Sequence, residues 1–351
     1  MRGIGPVTAV PGAGRSRRAF TAAATVLATV WMTDGPRART TGPDQASRPV
    51  DADVGAPRAD DAAFALMPIR LDERTWYVQG LPELGDRTNR NFIANAGFVV
   101  GDDGVTVIDA LGSPSLARGL LAAIARVTPR PVRRVVVTHY HADHVYGLQV
   151  FADAGAEILA HRGGREYLNS DGARTRMTIA RRDIAPWIDA TTRLVPAHRW
   201  LDDGGLDLDA GGVRLELRHP GGAHTIEDLI VRLPASGIVF AGDLVFRGRI
   251  PFVGEADTRG WLAALDAIAA LRPRILVPGH GAAAHAPEDG LAFTRAYLQD
   301  LRSKLGPPAR AFVPFEDAYA AADWSRWRGV AMFDAAHRQN AYGTYLRLEQ
   351  E

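Results

Sequence analysis

The chain has 351 residues, with 41 Lys and Arg against 40 Asp and Glu and 46% apolar side chains. That balance belongs to a globular protein of one large domain or two small ones, and a formal charge of +1 supplies no field favouring nucleic acid, acidic lipid or a polyanionic substrate. Cysteine is absent, which excludes disulfides, thiolate metal ligands and cysteine nucleophiles, so a metal site here must be built from His, Asp and Glu.

Residues 1–38 read differently from the rest. Arg17 and Arg18, preceded by Ser16 and followed after one residue by Phe20, stand before an apolar stretch from Thr21 to Met32. The pattern resembles a twin-arginine export signal, which implies a periplasmic or otherwise exported protein. The apolar stretch is too short to cross a hydrocarbon core of ~30 Å as a helix rising ~1.5 Å per residue, so no stable membrane span is expected. Residues 39–63 are rich in Arg, Asp, Pro, Gly and Thr without periodicity, the composition of a disordered linker.

From residue 64 onward the chain alternates strand and helix signals. TWYVQG (75–80), NFIANAGFVVG (91–101) and VTVIDA (105–110) read as antiparallel strands separated by turn residues such as GDDG. SPSLARGLLAAIARV (113–127) has apolar positions at three- and four-residue spacing, with Ser113 or Ser115 as N-cap and Pro129 closing it, and predicts an amphipathic helix. RRVVVT (133–138) is a buried strand, followed by a short helix over 145–154 and a further strand AEILAH (156–161). Residues 163–199 are charged and weakly periodic, and predict a lid or a helical excursion. The second half repeats this grammar. VRLELRHPGGAHT, DLIVRLP, GIVFAGDLVF and RILVPGHG each carry an apolar strand into a loop with His or Asp, and RGWLAALDAIAALRP lies as a helix before the last. A long helix over 288–305 and one or two more within 324–351 form a helical extension, 286–351, expected to pack on the domain of 64–285. Strand, loop, helix and strand again is an α/β arrangement whose chemistry sits at strand ends.

The chemistry concentrates at such ends. THYHADH (138–144) places His139 and His141 two residues apart on an extended turn, able to point to one side, with Asp143 and His144 one step on facing a neighbouring centre. Zinc takes imidazole nitrogen and carboxylate oxygen at ~2.0–2.2 Å and needs a free position for hydrolysis. His224 in PGGAHT, Asp243 in FAGDLVF and His280 in VPGHG supply the remaining donors from three later loops. The expected division has His139, His141 and His224 on one ion, Asp143, His144 and His280 on the other, and Asp243 bridging. His161 is read as a hydrogen-bonded residue rather than a ligand, and His198, His219, His285 and His337 as surface or structural. Tyr140 and Tyr146 are read as packing residues. Arg182, Arg247 and Arg249 are cations that either meet an anionic substrate or are solvated, and no substrate contact is assigned.

THYHADH, GAHT, AGDLVF and PGHG, in that order and each after a strand, resemble the metallo-β-lactamase superfamily across residues 70–285. The resemblance implies an α/β fold of the αββα four-layer sandwich type. It also implies a zinc hydrolase holding two Zn2+ ions, in which activated water attacks the carbonyl of an ester, thioester or lactam in a small molecule. Asp143 then orients the nucleophile and passes its proton on. Di-iron members typically carry Glu where His141 stands, so His141 favours zinc. A metallo-type β-lactamase without cysteine and a mononuclear-iron sulfur (persulfide) dioxygenase are the alternatives. NFIANAGFVVGDDGVTVID, HPGGAHTIEDLIVRLP, GDLVFRGRIPF and HRQNAYGTYLRLE are most similar to exported, SoxH-like zinc metallohydrolases of quinoprotein and sulfur-oxidation systems. The chain departs from that group at IDALGS, where Thr-Gly is more usual after the Asp, and at Glu227, where Gly is common. A small-molecule substrate is expected, and no nucleic acid, since basic stretches interleaved with aromatics are missing.

Overall fold

The computed structural model describes residues 65–351 apart from Glu255; the segments read as export signal and linker lie outside the described residues. The first half builds one sheet. β1 (Ile69–Arg70), β2 (Thr75–Val78), β3 (Ala96–Val100) and β4 (Val105–Ile108) run antiparallel in chain order. After helix α1 (Pro114–Val127), β5 (Val132–Val136) turns parallel to β4. The short helices α2 (Ala142–Val145) and α3 (Leu148–Asp153) lead to β6 (Glu157–His161), and α4 (Gly164–Asn169) and α5 (Asp171–Asp183) lead to β7 (Arg199–Leu201). Both strands continue the parallel run, giving a seven-stranded sheet in the order β1 to β7.

The second sheet has five strands. β8 (Leu206–Asp209), β9 (Arg214–Arg218), β10 (Ile230–Leu233) and β11 (Ile238–Phe240) are antiparallel neighbours, and after α6 (Thr258–Ala270) strand β12 (Ile275–Val277) pairs parallel to β11. Helices α7 (Pro287–Arg310), α8 (Phe315–Ala321) and α9 (Phe333–Leu348) follow.

Side-chain alternation sorts these elements into four layers. Val99, Ile108, Val136 and Leu159 of the first sheet meet Leu217, Val231, Phe240 and Val277 of the second in the central layer. Their neighbours one residue away, Phe98, Val107, Val135 and Ile158, point outward against Leu120, Ile124 and Phe151. On the far side, Ile230, Val239 and Leu276 pack with Trp261, Leu265, Leu298, Leu301 and Tyr345. A strand covered on both faces has no polar side, which is why Val135, Val136 and Val137 form an uninterrupted apolar run. The αββα sandwich of the sequence reading is the observed architecture.

Local boundaries differ in places. Residues 91–95 are turn rather than strand, because Arg90 and Asn91 take positive φ values of 57° and 67°, and pairing with β2 begins only at Ala96. The helix read over 145–154 is broken at Gly147, between α2 and α3. Ser113, not Ser115, caps α1, accepting from the Leu116 amide at 3.4 Å. The segment 163–199 contains two helices, of which α5 buries Met177 and Ala180 in the outer core of the first sheet. The helix α8 lies within the helical extension, between the two stretches read as helices.

Candidate metal centre

Four apolar strands end at the site. β5 runs into the turn carrying His139, His141, Asp143 and His144; β9 precedes His224, β11 precedes Asp243 on a single 3-10 turn (Gly242–Leu244), and β12 precedes His280. All seven side chains meet there. Donor atoms of His139, His141, His224 and Asp243 lie within 4.8 Å of one another, and so do those of Asp143, His144 and His280. The two oxygens of Asp243 face different sets. Oδ2 lies 3.4 Å from His224 Nε2 and 3.8 Å from His139 Nε2, while Oδ1 lies 3.1 Å from His144 Nε2 and 3.3 Å from His280 Nε2. Asp143 Oδ2 is 3.3 Å from His280 Nε2 and 3.8 Å from His144 Nε2.

Close approach at this point depends on glycine. A Cβ on Gly279 would sit 2.0 Å from Asp243 Oδ1, so any other residue would push the carboxylate out of the cluster.

Outer hydrogen bonds aim the imidazoles. His144 donates from Nδ1 to Asp109 Oδ2 at 2.8 Å and His280 donates from Nδ1 to the Ile93 carbonyl at 2.7 Å, which turns both Nε2 atoms inward. Asp109 also accepts from the Thr138 amide and hydroxyl, each at 2.8 Å, and Thr138 Oγ1 lies 3.0 Å from His139 Nδ1. Glu227 Oε1 accepts from the Tyr140 amide at 3.2 Å, which ties the His224 loop to the turn between His139 and His141. Asp228 accepts from the amide and hydroxyl of Thr225, fixing the same loop from its other side. Asn95 joins the halves of the molecule, donating to the Pro278 and Gly281 carbonyls beside His280.

Buried nitrogens and oxygens without hydrogen bonds concentrate here: His139 Nε2, His144 Nε2, His224 Nδ1 and Asp243 Oδ1. Buried polar atoms are ordinarily paired, so this clustering marks a place that calls for a ligand. Burial lowers the His141 imidazole to about 3 and His224 to about 4, and holds His139 well below its ordinary value, keeping three neutral lone-pair donors. At His144 and His280 burial also pulls downward, but nearby carboxylates, Asp243 foremost, override it and raise both rings. Burial pushes Asp143 and Asp243 up, and His144 and His280 override it and keep both ionised. Three neutral imidazoles, with two more that ionised carboxylates draw towards positive charge, are a donor set suited to divalent cations of intermediate softness. These residues are grouped so that they could hold metal ions.

A cavity of about 230 Å³ opens over the cluster, lined by His141, Asp143, Asp243 and His280, by Leu84, Ile93 and Phe252, and by Met332, Ala335, Ala336 and Gln339 of the C-terminal region. Arg176 of α5 and Arg249 also line it. Of the three arginines singled out in the sequence, Arg249 alone reaches the cavity; Arg247 donates to the Ala282 and Ala283 carbonyls, and exposed Arg182 pairs with Asp183. A larger cavity of about 350 Å³ beside Asp72, Thr75 and Ser236 contains none of the seven residues.

The remaining histidines do other work. His161 and His219 stack with ring centres 4.1 Å apart and planes 10° apart, and Asp203 accepts from His161 at 3.0 Å. Parallel rings at that spacing do not aim their in-plane lone pairs at one point ~2.1 Å from each, so this trio does not form a metal cage. His198 Nδ1 accepts from the Ile158 amide, His285 is exposed, and His337 is buried beside Tyr297. Tyr140 stacks on Trp200 and donates to the Val195 carbonyl, and Tyr146 is buried in the outer core of the first sheet.

Sequence reasoning passed over Asp109, Arg176 and Asn95 as contributors to the site. Asp109 was visible as the polar end of VTVIDA; the other two had no local signal, since their partners lie far along the chain.

The family model described as the metallo-beta-lactamase superfamily matches residues 89–280. Over 184 residues the chain is 28% identical to 2,4-dinitroanisole O-demethylase subunit alpha of Nocardioides sp. (strain JS1661), covering 52% of this chain and 51% of that protein. Over 155 residues it is 30% identical to metallo-beta-lactamase type 2 of Bacteroides fragilis, covering 43% of this chain and 53% of that one. The chain thus spans about half the length of the curated relatives it matches. Among solved structures, a metallo-beta-lactamase from Pontibacter korlensis aligns with a TM-score of 0.51 at 21% identity, covering 67% of this chain and 99% of that one. The sec-alkylsulfatase Pisa1 from Pseudomonas sp. aligns at 0.60 and 21% identity, over 80% and 50%. These two likenesses speak to the fold. With the match to residues 89–280 added to four strand-end loops that converge on one His and Asp cluster, the chain belongs to the metallo-β-lactamase superfamily.

Proposed function

We propose that the protein is a di-zinc hydrolase acting on a carbonyl group of a small molecule, an ester, thioester or lactam. The observation that carries this reading is the Asp243 carboxylate, whose two oxygens each face a separate set of imidazole and carboxylate donors. His139, His141 and His224 would hold the first ion and Asp143, His144 and His280 the second, with Asp243 placed between the two sets. Bound zinc supplies Lewis-acid polarisation of a carbonyl and lowers the pKa of a water from 15.7 towards ~7. Asp143, kept ionised by its histidine neighbours and open to the cavity, accepts a hydrogen bond from the attacking water and carries its proton towards the leaving group. Leu84, Ile93 and Phe252 provide an apolar wall for the acyl body.

Export through the Arg17 and Arg18 signal, and membership of the SoxH-like group, belong to the same proposal. Elemental analysis of the purified protein tests the centre: two zinc ions per chain are expected, and one iron per chain would overturn the reading in favour of an iron oxidoreductase. Turnover assays with a lactam, a thioester, an aryl ester and a persulfide then rank the substrate classes.

A further inference from the structure

The C-terminal stretch HRQNAYGTYLRLE supplies none of the clustered metal donors, yet it is bound to the cavity wall. Asn340, on α9 and 0% exposed, places its carboxamide across the turn that carries Phe252. Its Nδ2 donates to the Pro251 carbonyl at 2.7 Å and its Oδ1 accepts from the Val253 amide at 2.9 Å. One side chain thus satisfies the backbone on both sides of Phe252, as a neighbouring strand would. Phe252 lines the cavity, with its ring centre 5.9 Å from that of His141 and the planes 78° apart.

The clamp is itself held from behind. Asn340 Nδ2 also donates to the Tyr297 hydroxyl at 3.0 Å, which leaves the Tyr297 proton to donate to His337 Nδ1 at 2.9 Å. All three side chains are fully buried, so these bonds form in low-dielectric surroundings where water cannot replace them. Two further contacts set the extension on the same turn. A Cβ on Gly343 would lie 2.1 Å from the Gly254 carbonyl oxygen, so the backbone of α9 rests directly on the chain there. Just before α9, the Ala331 carbonyl accepts from the Ile250 amide at 2.8 Å. Segment 250–254 is therefore fixed by the extension at both ends, and Met332, Ala335 and Ala336 of that extension line the cavity with Phe252.

We infer that Asn340 is a positioning residue for substrate selection: backed by Tyr297 and His337, it holds Phe252 beside His141, and the wall so formed selects a substrate by its apolar acyl chain. Leu84, Ile93, Phe252, Met332 and Ala336 carry no charge, so they favour buried methylenes, each worth about fourfold in affinity. The acyl chain rests on the hydrolase reading, whereas the clamp and the apolar slot are testable without turnover.

The test uses the full chain as purified with its metal. Hydrolysis of 4-nitrophenyl hexanoate is compared with that of 4-nitrophenyl acetate, and binding of hexanoate with that of acetate by calorimetry. Amide exchange of segment 250–254 is compared with that of β5 by mass spectrometry. The native chain should favour the hexanoyl member about tenfold in kcat/KM and in affinity. Asn340→Ala should cut both preferences to about a third or less, with the loss in KM for the longer ester, and should speed exchange in 250–254 about tenfold while β5 keeps its rate. Tyr297→Phe loses only the hydroxyl and keeps both bonds to the turn; it should move the same readouts in the same direction by a smaller factor. In a Phe252→Ala background, Asn340→Ala should change the preference no further. A native preference at or below one, unchanged exchange in 250–254, or an equal loss of preference in the Phe252→Ala background would overturn the inference. A uniform rise of exchange in 250–254 and β5 would overturn it too, because it marks a residue that serves the fold alone. Absence of turnover on both esters counts against the hydrolase reading alone, since the two acids and the exchange rates still decide the clamp and the slot.

Discussion

Replacing Asp109 by Asn keeps the size of the side chain and the positive φ of 61°, which Asn tolerates, and changes what the His144 ring meets. In the native chain the Asp109 carboxylate accepts three hydrogen bonds, from the Thr138 amide, the Thr138 hydroxyl and His144 Nδ1, all at 2.8 Å. An amide retains the first through its oxygen, and the Thr138 hydroxyl can turn to accept from its NH2 group. His144 then faces a donor instead of an acceptor. The ring relieves that conflict by moving its proton from Nδ1 to Nε2, the atom 3.1 Å from Asp243 Oδ1, and so loses the lone pair that faces the second donor set. Outer partners of ligating histidines typically govern about 10- to 100-fold in metal affinity, or about 1.4–2.7 kcal/mol. Two charge-assisted hydrogen bonds are weakened or lost, which costs the fold about 1–2 kcal/mol. Chelator competition should therefore show one ion weakened at least tenfold and the other near its native affinity, with a fall in Tm of a few degrees. Two ions bound as tightly as in the native chain would refute the tautomer argument, and loss of both together with collapse of Tm would make Asp109 a fold residue only.

Glu227→Gly removes the tie between the His224 loop and the Tyr140 amide; zinc affinity at the first donor set should fall about tenfold, with Glu227→Gln recovering most of it, as read by the same chelator titration. His141→Ala should abolish hydrolysis while Tm changes by no more than a few degrees, because a ligand on a strand-end loop opens no core cavity; undiminished turnover would refute its assignment. His337 is fully buried against Tyr297, Trp324 and Phe333, and burial lowers its imidazole to about 4. The unfolded chain, with an ordinary value near 6.5, binds that proton more readily, so the stability from a neutral His337 is complete above pH 6.5 and lost as pH falls towards 4. The loss is on the order of 3 kcal/mol. His337→Gln, less stable at neutral pH, should lie closer to the native chain at pH 4.5 than at pH 7.5; parallel acid limbs in thermal melts would sink the assignment.

The layered sandwich was legible because its signals are periodic. Strands such as Val132–Val136 and helices such as Pro114–Val127 declare themselves through apolar spacing and capping within a few residues. The metal cluster was legible for a related reason: each donor follows an apolar strand, and a strand end is where a loop can turn a side chain to a common centre. Segment 91–95 was misread because FIANA is apolar enough for a strand, whereas Asn91 and Asn95 are committed to carbonyls at Gly112, Pro278 and Gly281 that no local pattern announces. Arg176 was hidden in the same way. It lines the cavity from α5, a helix with weak amphipathic spacing because only Ala173, Met177 and Ala180 are buried.

Each donor set draws on loops of both sheets, which couples the site to the packing between them. His139, His141, Asp143 and His144 ride on β5 of the first sheet, while His224, Asp243 and His280 ride on strands of the second. Each proposed ion is therefore held across the sandwich, and the separation of its ligands is set by the apolar layer in which Val136 and Ile108 meet Phe240 and Val277. Close-packed interiors yield little, so that layer fixes the gap between the sheets before any ion is bound. The Asn95 bonds to Pro278 and Gly281, with the Leu229 amide donating to Thr138 at 2.8 Å, clamp the same gap at the level of the site. Ligation then bridges two rigid bodies rather than ordering a loop, and most of its free energy appears as resistance of the sandwich to opening.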